Sequence, residues 1–472
     1  MLGLFGALNL ASRSLATQQE AMSVAGQNMA NVNNSAYARE QAVIQTSASI
    51  STPAGQEGTG ADVVSITEVR NSLLDNQIQS ENSVTGSFTA QQTALQNAEA
   101  YLGEQLSSSS TTSSSASTSS SNGLAAMLSK LFNSFSSMTT GSGDPATVVQ
   151  AAQEVTNQFN QVSANLSQVR GNLNTSIQNG VASCNQDLNE IAALNQQIVQ
   201  AEAGGGTAND LVDKRQQTIE NLAGLVNIST TAQSDGSVNI SIGGVSMVAG
   251  SSAVNGLQTY DAGGGQLLIQ DKNSATSLSV TGGSIAGNIT ARDGALSTLQ
   301  TSLDTLASQL ATQVNNIYSA GYDSSGGTGQ LFFTGNDAAS IGVNSALVSD
   351  PSQFQDSSTA GAGGDTKIAL ALANLSTQTI AALGNQSLSQ SYSQTVTSLG
   401  NAIDAATTQL DTSQTISTSL TNQRSSESGV SIDQEMTNLL QYQKAYEASG
   451  QLVTTLDKMM ETVLNMKPSS DV

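Results

Sequence analysis

Residues 144–206 read DPATVVQAAQEVTNQFNQVSANLSQVRGNLNTSIQNGVASCNQDLNEIAALNQQIVQAEAGGG. Val148, Ala152, Val155, Phe159, Val162, Leu166, Val169, Leu173, Ile177, Val181, Cys184, Leu188, Ile191, Leu194 and Ile198 recur at intervals of three and four, the spacing of one helix face. Asp144 is placed to cap the helix and Pro145 to occupy its first turn, while the triple glycine at 204–206 ends it. The implied helix is roughly 59 residues, or ~88 Å at 1.5 Å per residue. A helix of that length points to an elongated bundle. Gly171 and Gly180 each cost about 1 kcal/mol relative to Ala, so a bend or break is expected near them.

Outward from this helix the periodicity changes twice. From 227 to 283 it becomes two, with turns at Asp235-Gly236 and Gly243-Gly244, which predicts a small antiparallel β domain. Helical spacing returns as a single helix from Ile285 through Arg292 and Leu310 to Ile317, ending at Gly321. Loop and strand are expected over 321–365, then a last bundle helix from Tyr392 to Leu420. A further helix after the triple glycine is expected to be capped by Asn209, with Asp210, Asp213, Lys214 and Arg215 on a solvated face rather than in a carboxylate–lysine catalytic site. Residues 107–121 contain only Ser, Thr and Ala, which predicts an exposed connector with nothing to bury.

The two chain ends carry matching stripes. At the first end Leu4, Leu8, Ala11, Leu15, Met22, Ala25, Met29 and Val32 follow a heptad seam, interrupted only by Gln18. At the other, Ile432, Met436, Leu439, Tyr442, Tyr446, Val453, Leu456, Met460 and Val463 follow the same spacing, with Ser449 in the row and one three-residue stammer. A helix with one apolar stripe becomes stable when the stripe meets another, and each Leu-sized side chain buried contributes about 1.5 to 3 kcal/mol. The seams could form an ordinary antiparallel pair within one chain; the reading adopted is that the two terminal helices pair with each other and pack against neighbouring subunits on assembly, their seams staying apart until neighbouring molecules supply the missing contacts.

Composition narrows the chemistry. There is no His and no Trp, and 36 acidic residues face 14 basic ones, a net charge of −22. Imidazole-based nucleophiles and metal ligands are therefore excluded, and no paired acidic cluster suggests an enzyme. The charge disfavours nucleic acid as a partner. No cofactor is implied. No run of eighteen apolar residues occurs, so no membrane span is expected, and the opening MLGLFGALNL lacks the basic flank of a cleaved signal. The lone Cys184 falls on the apolar stripe and reads as a buried, inert thiol.

The stretch ANVNNSAY at 30–37 resembles the ANxxTxGY motif of the bacterial flagellar rod, hook and hook-associated axial proteins. Ala30, Asn31 and Tyr37 match, while Asn34 and Ala36 stand where the family has Thr and Gly. GTGADVVSITEVRNSLLDNQ (58–77), KLFNSF (130–135), NDLVDKRQQTIENLAGLV (209–226), GGSIAGNITARDGAL (282–296), GQLFF (329–333) and NLLQYQKAYEASGQLV (438–453) resemble the hook-associated junction members in order along most of the chain.

The resemblance implies a structural adaptor that self-associates in a ring or tube, with hook protein on one side and the next hook-associated protein on the other. It also implies type III export, without a cleaved signal, after holding by a flagellar export chaperone. The rival readings are another axial protein or a secreted coiled-coil adhesin. The fold class expected is mainly α with inserted β: a long antiparallel helical bundle, terminal coiled-coil helices and a small antiparallel β domain. The expected order is an N-terminal axial helix (1–50), a first bundle part (51–226), the β insertion (227–283), a second bundle part (284–424) and a C-terminal axial helix (425–472).

Overall fold

The computed structural model describes residues 3–34, 36–52, 55–102, 123–141, 143–362 and 365–465. The connector expected at 107–121 lies outside them. The chain opens with α1 (Leu4–Ala30), followed by an antiparallel ribbon of β1 (Glu40–Thr46) and β4 (Ala61–Glu68). The ribbon is continued at its far end by β2 (Ile50–Thr52) and β3 (Gly55–Glu57). No strand was expected at 40–68; the alternation in EQAVIQT and ADVVSITE carries the signal.

The bundle comprises α2 (Ser72–Leu102), α3 (Leu124–Thr139), α4 (Pro145–Ala203), α5 (Asn209–Leu225), α6 (Gly283–Asp293) and α7 (Ala295–Tyr318). It is completed, after the short segment described below, by α9 (Lys367–Asn374) and α10 (Leu388–Ser428). The decisive helix, α4, starts where Asp144 accepts from the Ala146 N–H and runs 59 residues without interruption. The break expected at Gly171 or Gly180 is absent. At Gly180 the missing side chain has a packing reason: a Cβ there would stand 2.9 Å from Ile285 Cγ1.

One predicted helix is two. The stripe from Ile285 to Ile317 is cut at Gly294, where a Cβ would lie 2.6 Å from the Thr290 carbonyl oxygen, so the chain turns between α6 and α7 on glycine. Arg292, counted on that apolar stripe, is fully buried; it donates to Asn174 Oδ1, to the Leu267 carbonyl and to both carboxylate oxygens of Asp293.

Between α5 and α6 stands a four-stranded antiparallel sheet, β5 (Ser229–Ala232), β6 (Val238–Ile242), β7 (Val245–Ala249) and β8 (Ser252–Ala253), in chain order. Beside it lies a hairpin of β9 (Leu257–Asp261) and β10 (Leu267–Asp271). Gly243 and Gly244, at φ 56° and 82°, make the β6–β7 turn, which needs the left-handed region twice. Between α7 and α9 a short ribbon, β11 (Phe333–Thr334) with β12 (Gly342–Val343), precedes α8 (Ser345–Ser349).

Two apolar cores lie along α4. From Val148 to Leu173 the helix packs with α2, α3, α7, α9 and α10; from Ile177 to Ala192 it packs with α5, α6 and the inner faces of β6, β7, β9 and β10. KLFNSF and GQLFF meet in the first core, where the Phe135 and Phe332 rings are 5.8 Å apart and Tyr318 stacks edge-on to Phe332 at 5.2 Å. The last helix, α11 (Ile432–Asn465), joins neither core, and nor does α1.

Candidate assembly site: the paired termini and their joint to the bundle

The first and last helices pack along each other, antiparallel, within the single chain. Ser14 Oγ is 2.9 Å from Ser449 Oγ, and Ala21 and Ala25 share a groove with Asn438 and Tyr442. The expectation that the seams stay apart is therefore corrected: each supplies the surface that the other lacks. The pairing follows from the spacing itself, since a lone amphipathic helix leaves its stripe in water.

The opposite flank of α1 rests on the β1–β4 ribbon. Thr17 donates to the Ala61 carbonyl at 2.7 Å, and Arg13 reaches Asp62 at 3.3 Å. Asn28 holds the far end: its Nδ2 donates to the Glu40 carbonyl, while its Oδ1 accepts from the Glu40 N–H and the Tyr37 hydroxyl, each at 2.9 Å. Because α1 lies between a ribbon and a helix, its seam is largely covered. Ala11 and Ala25 are buried, whereas Leu4, Leu8, Leu15, Met22, Met29 and Val32 are half-buried.

The seam of α11 divides. Leu456 is buried against α1 and Leu439, Tyr442, Val453 and Met460 are half-buried, but Ile432, Met436, Tyr446 and Val463 are exposed. Ile432, Met436 and the adjoining Leu440 are 49%, 50% and 55% exposed and fall at i, i+4 and i+8, one stripe on the outer side of the pair. Surface apolar residues are ordinary singly; a stripe of them on a helix outside the core marks an interaction surface.

Of the family motif, Tyr37 is buried in the Asn28 knot, where burial and then the nearby carboxylates of Glu40 and Asp213 push its phenol above the usual range. Asn31 closes α1, its amide donating back to the Gln27 carbonyl, and Ala30 is exposed. At the position where the family has Gly, Ala36 follows an Asn34 side chain that accepts its N–H at 3.2 Å, a local turn that needs no glycine.

The sequence reading missed the joint below the pair. Three stretches of chain cross there, bonded in series: Val69 N–H to the Arg39 carbonyl and Arg39 N–H to the Ser428 carbonyl, at 2.9 and 2.8 Å. Arg70 bridges Glu68 at the end of β4, Asp75 on α2 and Asp213 on α5, and Arg424 on α10 pairs with Glu220. Burial would lower the Arg70 value, but Glu68 and Asp213 outweigh it and hold the guanidinium firmly charged. Burial also pushes Glu68 up to about 7 and Asp213 up to about 6, each only partly offset by Arg70.

These contacts correct the solvated-face reading of α5. Asp213 and Arg215 are buried, with Arg215 donating to Asn195 Oδ1 and the Gly236 carbonyl; Asp210 and Lys214 are exposed, Lys214 reaching Glu190. Nor does Asn209 cap its helix. Its amide instead donates to Glu40 Oε1, tying α5 to the ribbon. The spacing of Asp213 and Arg215 was visible, but their partners lie about 140 and 20 residues away. No helix among the described residues is long and apolar enough to cross a membrane, and no group of three His, Cys, Asp or Glu there could hold a metal ion.

Comparisons with known proteins give the chain's relatives. The family "Flagellar hook-associated protein FlgK helical domain" matches residues 109–333, and "Flagellar basal body rod FlgEFG protein C-terminal" matches 421–466. Flagellar hook-associated protein 1 of Bacillus subtilis (strain 168) is 27% identical over 98% of this chain and 99% of its own length. The protein of the same name from Escherichia coli (strain K12) is 22% identical with the same coverage. A solved structure, the flagellar hook junction protein FlgK from Burkholderia pseudomallei, superposes with a TM-score of 0.48 at 24% identity, covering 55% of this chain and 46% of that one. The chain is a structural protein of the bacterial flagellum, of the axial, hook-associated class. Within that class it resembles hook-associated protein 1 over nearly its whole length.

Proposed function

We propose that the chain is the adaptor of the hook–filament junction, seated in the axial tube by its paired terminal helices with the bundle standing off from them. One observation carries this: α1 and α11 pair with each other outside both cores, yet leave Ile432, Met436 and Leu440 uncovered. Pairing supplies a folded subunit, and the uncovered stripe supplies the surface for its neighbours.

In this reading the neighbours are further copies of the chain in a ring, hook protein on one side and the next hook-associated protein on the other. The axial part takes in residues 1 to about 70, because the ribbon at 40–68 packs on α1, together with 425–472. An export chaperone holds the C-terminal region before assembly, and the chain leaves through the flagellar type III apparatus. The adaptor is not an enzyme.

Electron microscopy of cells lacking the protein tests this. Hooks without filaments are expected, with flagellin lost to the medium and filaments restored by the full chain but not by one lacking 431–472. Filaments on the hooks of cells carrying only the truncated chain would refute it.

A further inference from the structure

The joint contains more negative charge than it can pair. Four carboxylates, Glu68, Asp75, Asp213 and Glu220, share two guanidiniums, Arg70 and Arg424. The Glu68 side chain is only 8% exposed; its Oε2 takes the Arg70 Nε–H, and its Oε1 is buried without a partner. Beside the cluster lies a cavity of about 180 Å³, bordered by Asn31 and Tyr37 from the α1–β1 connection, Arg70 and Asp75 below, and Arg424 and Gly429 at the α10–α11 corner. Residues of the terminal pair and of the bundle thus line one space.

We propose that this joint is a proton-operated latch: Glu68 takes a proton from solvent when the terminal pair is docked on the bundle, and releases it when the joint loosens. A half-charged oxygen buried without a donor is costly, whereas a neutral acid in the same place costs much less. With Glu68 neutral, Arg70 is left to pair with Asp213 and Asp75, two groups on the bundle side. That joins β4 to α2 and α5 without a repelling charge between them.

The other groups facing Glu68 act in one direction or the other. From β1 and its approach, Glu40 and Tyr37 contribute negative charge and bulk; from α5, Asp213 repels while Arg215 attracts; from α10, Arg424 is engaged by Glu220. Burial is the largest cause of the rise in Glu68 to about 7, ahead of the opposing attraction of Arg70. The sign follows. The docked state holds a proton that the loosened state, near the ordinary Glu value of about 4.3, releases. Its extra stability is full below about 4 and is lost as the pH rises through about 7.

Hydrogen exchange on the full-length monomer reads the latch at the amides of Ala38 and Arg39, which bond across the joint to Asp213 and Ser428. After correction for intrinsic exchange, protection of these amides is expected to fall roughly tenfold or more between about pH 5.5 and 8, one pK unit of linkage being a tenfold change. Glu68→Gln keeps the shape without the charge, so its joint should lose much less protection than the wild type between these values, the remaining fall being that of Asp213, itself pushed up to about 6, while the amides of α4 are unchanged. A wild-type joint indifferent to pH, or a pH response undiminished in Glu68→Gln, overturns the latch. Should that variant lose protection in α4 as well, an infrared difference spectrum of the wild type decides: a buried protonated carboxyl present at pH 5.5 and gone at 8 supports the latch, and its absence refutes it.

Discussion

The hydroxyls of Ser14 and Ser449 lie 2.9 Å apart although 435 positions separate them in the chain. Two ends that look unpartnered in the sequence are therefore each other's partners, and an assembling subunit need not hold two bare stripes apart. In the proposed assembly, what remains for its neighbours is the outer side of α11.

That contact can be trapped. Ser14→Cys with Ser449→Cys should close an intramolecular disulfide in dilute protein under mild oxidant, read as a faster-migrating monomer on non-reducing gels. Cys184, fully buried on α4, should not compete. Disulfide-linked dimers in place of the closed monomer would mean that the helices pair between chains.

The two glycines inside α4 should respond in opposite ways. Gly171 has nothing within 4 Å of an added Cβ, so Gly171→Ala should gain about 0.5–1 kcal/mol of helix stability. At Gly180 the same methyl group meets Ile285 Cγ1 at 2.9 Å, and overpacking costs about 1–3 kcal/mol, more than the propensity gain. Denaturant midpoints should rise for the first variant and fall for the second.

Burial, followed by the nearby Asp187 carboxylate, pushes the Cys184 thiol up to about 12. Since the thiolate is the nucleophile, almost none is present at pH 8, and thiol reagents should leave the native protein unmodified there. Labelling should appear only as the chain unfolds, and rapid native labelling would show that the second core opens.

Periodicity made the long elements legible. The α4 stripe, the capping Asp144-Pro145 pair and the Gly243-Gly244 turn are local signals, and the structure places each element where they indicate. The division at Gly294 was not legible, because a glycine inside a helical stripe declares only weakly whether the chain turns there; only in the turned backbone does the Thr290 carbonyl leave no room for a Cβ at this position. Strand β1 was hidden by its neighbour α1, whose stripe drew the reading past residue 40.

The candidate site was half legible for the same reason. Heptad spacing selected Ala25 and Leu456, which are buried in the pair, but it gave equal weight to Ile432 and Met436, which are not. Spacing says that a stripe will be covered and is silent on which molecule covers it. The joint was invisible because Arg70 meets Asp213 143 residues on, and each alone looks like a surface charge.

The account rests on the division of α11 into a side that closes the subunit and a side that builds the junction. Ile432→Ser, Met436→Ser and Leu440→Ser, combined in one chain with the Ser14–Ser449 disulfide trap and expressed in cells lacking their own copy, separate the two. The trap should still close in the purified monomer while electron microscopy shows hooks bare of filaments; normal filaments on those hooks would contradict the assignment of the outer stripe to assembly.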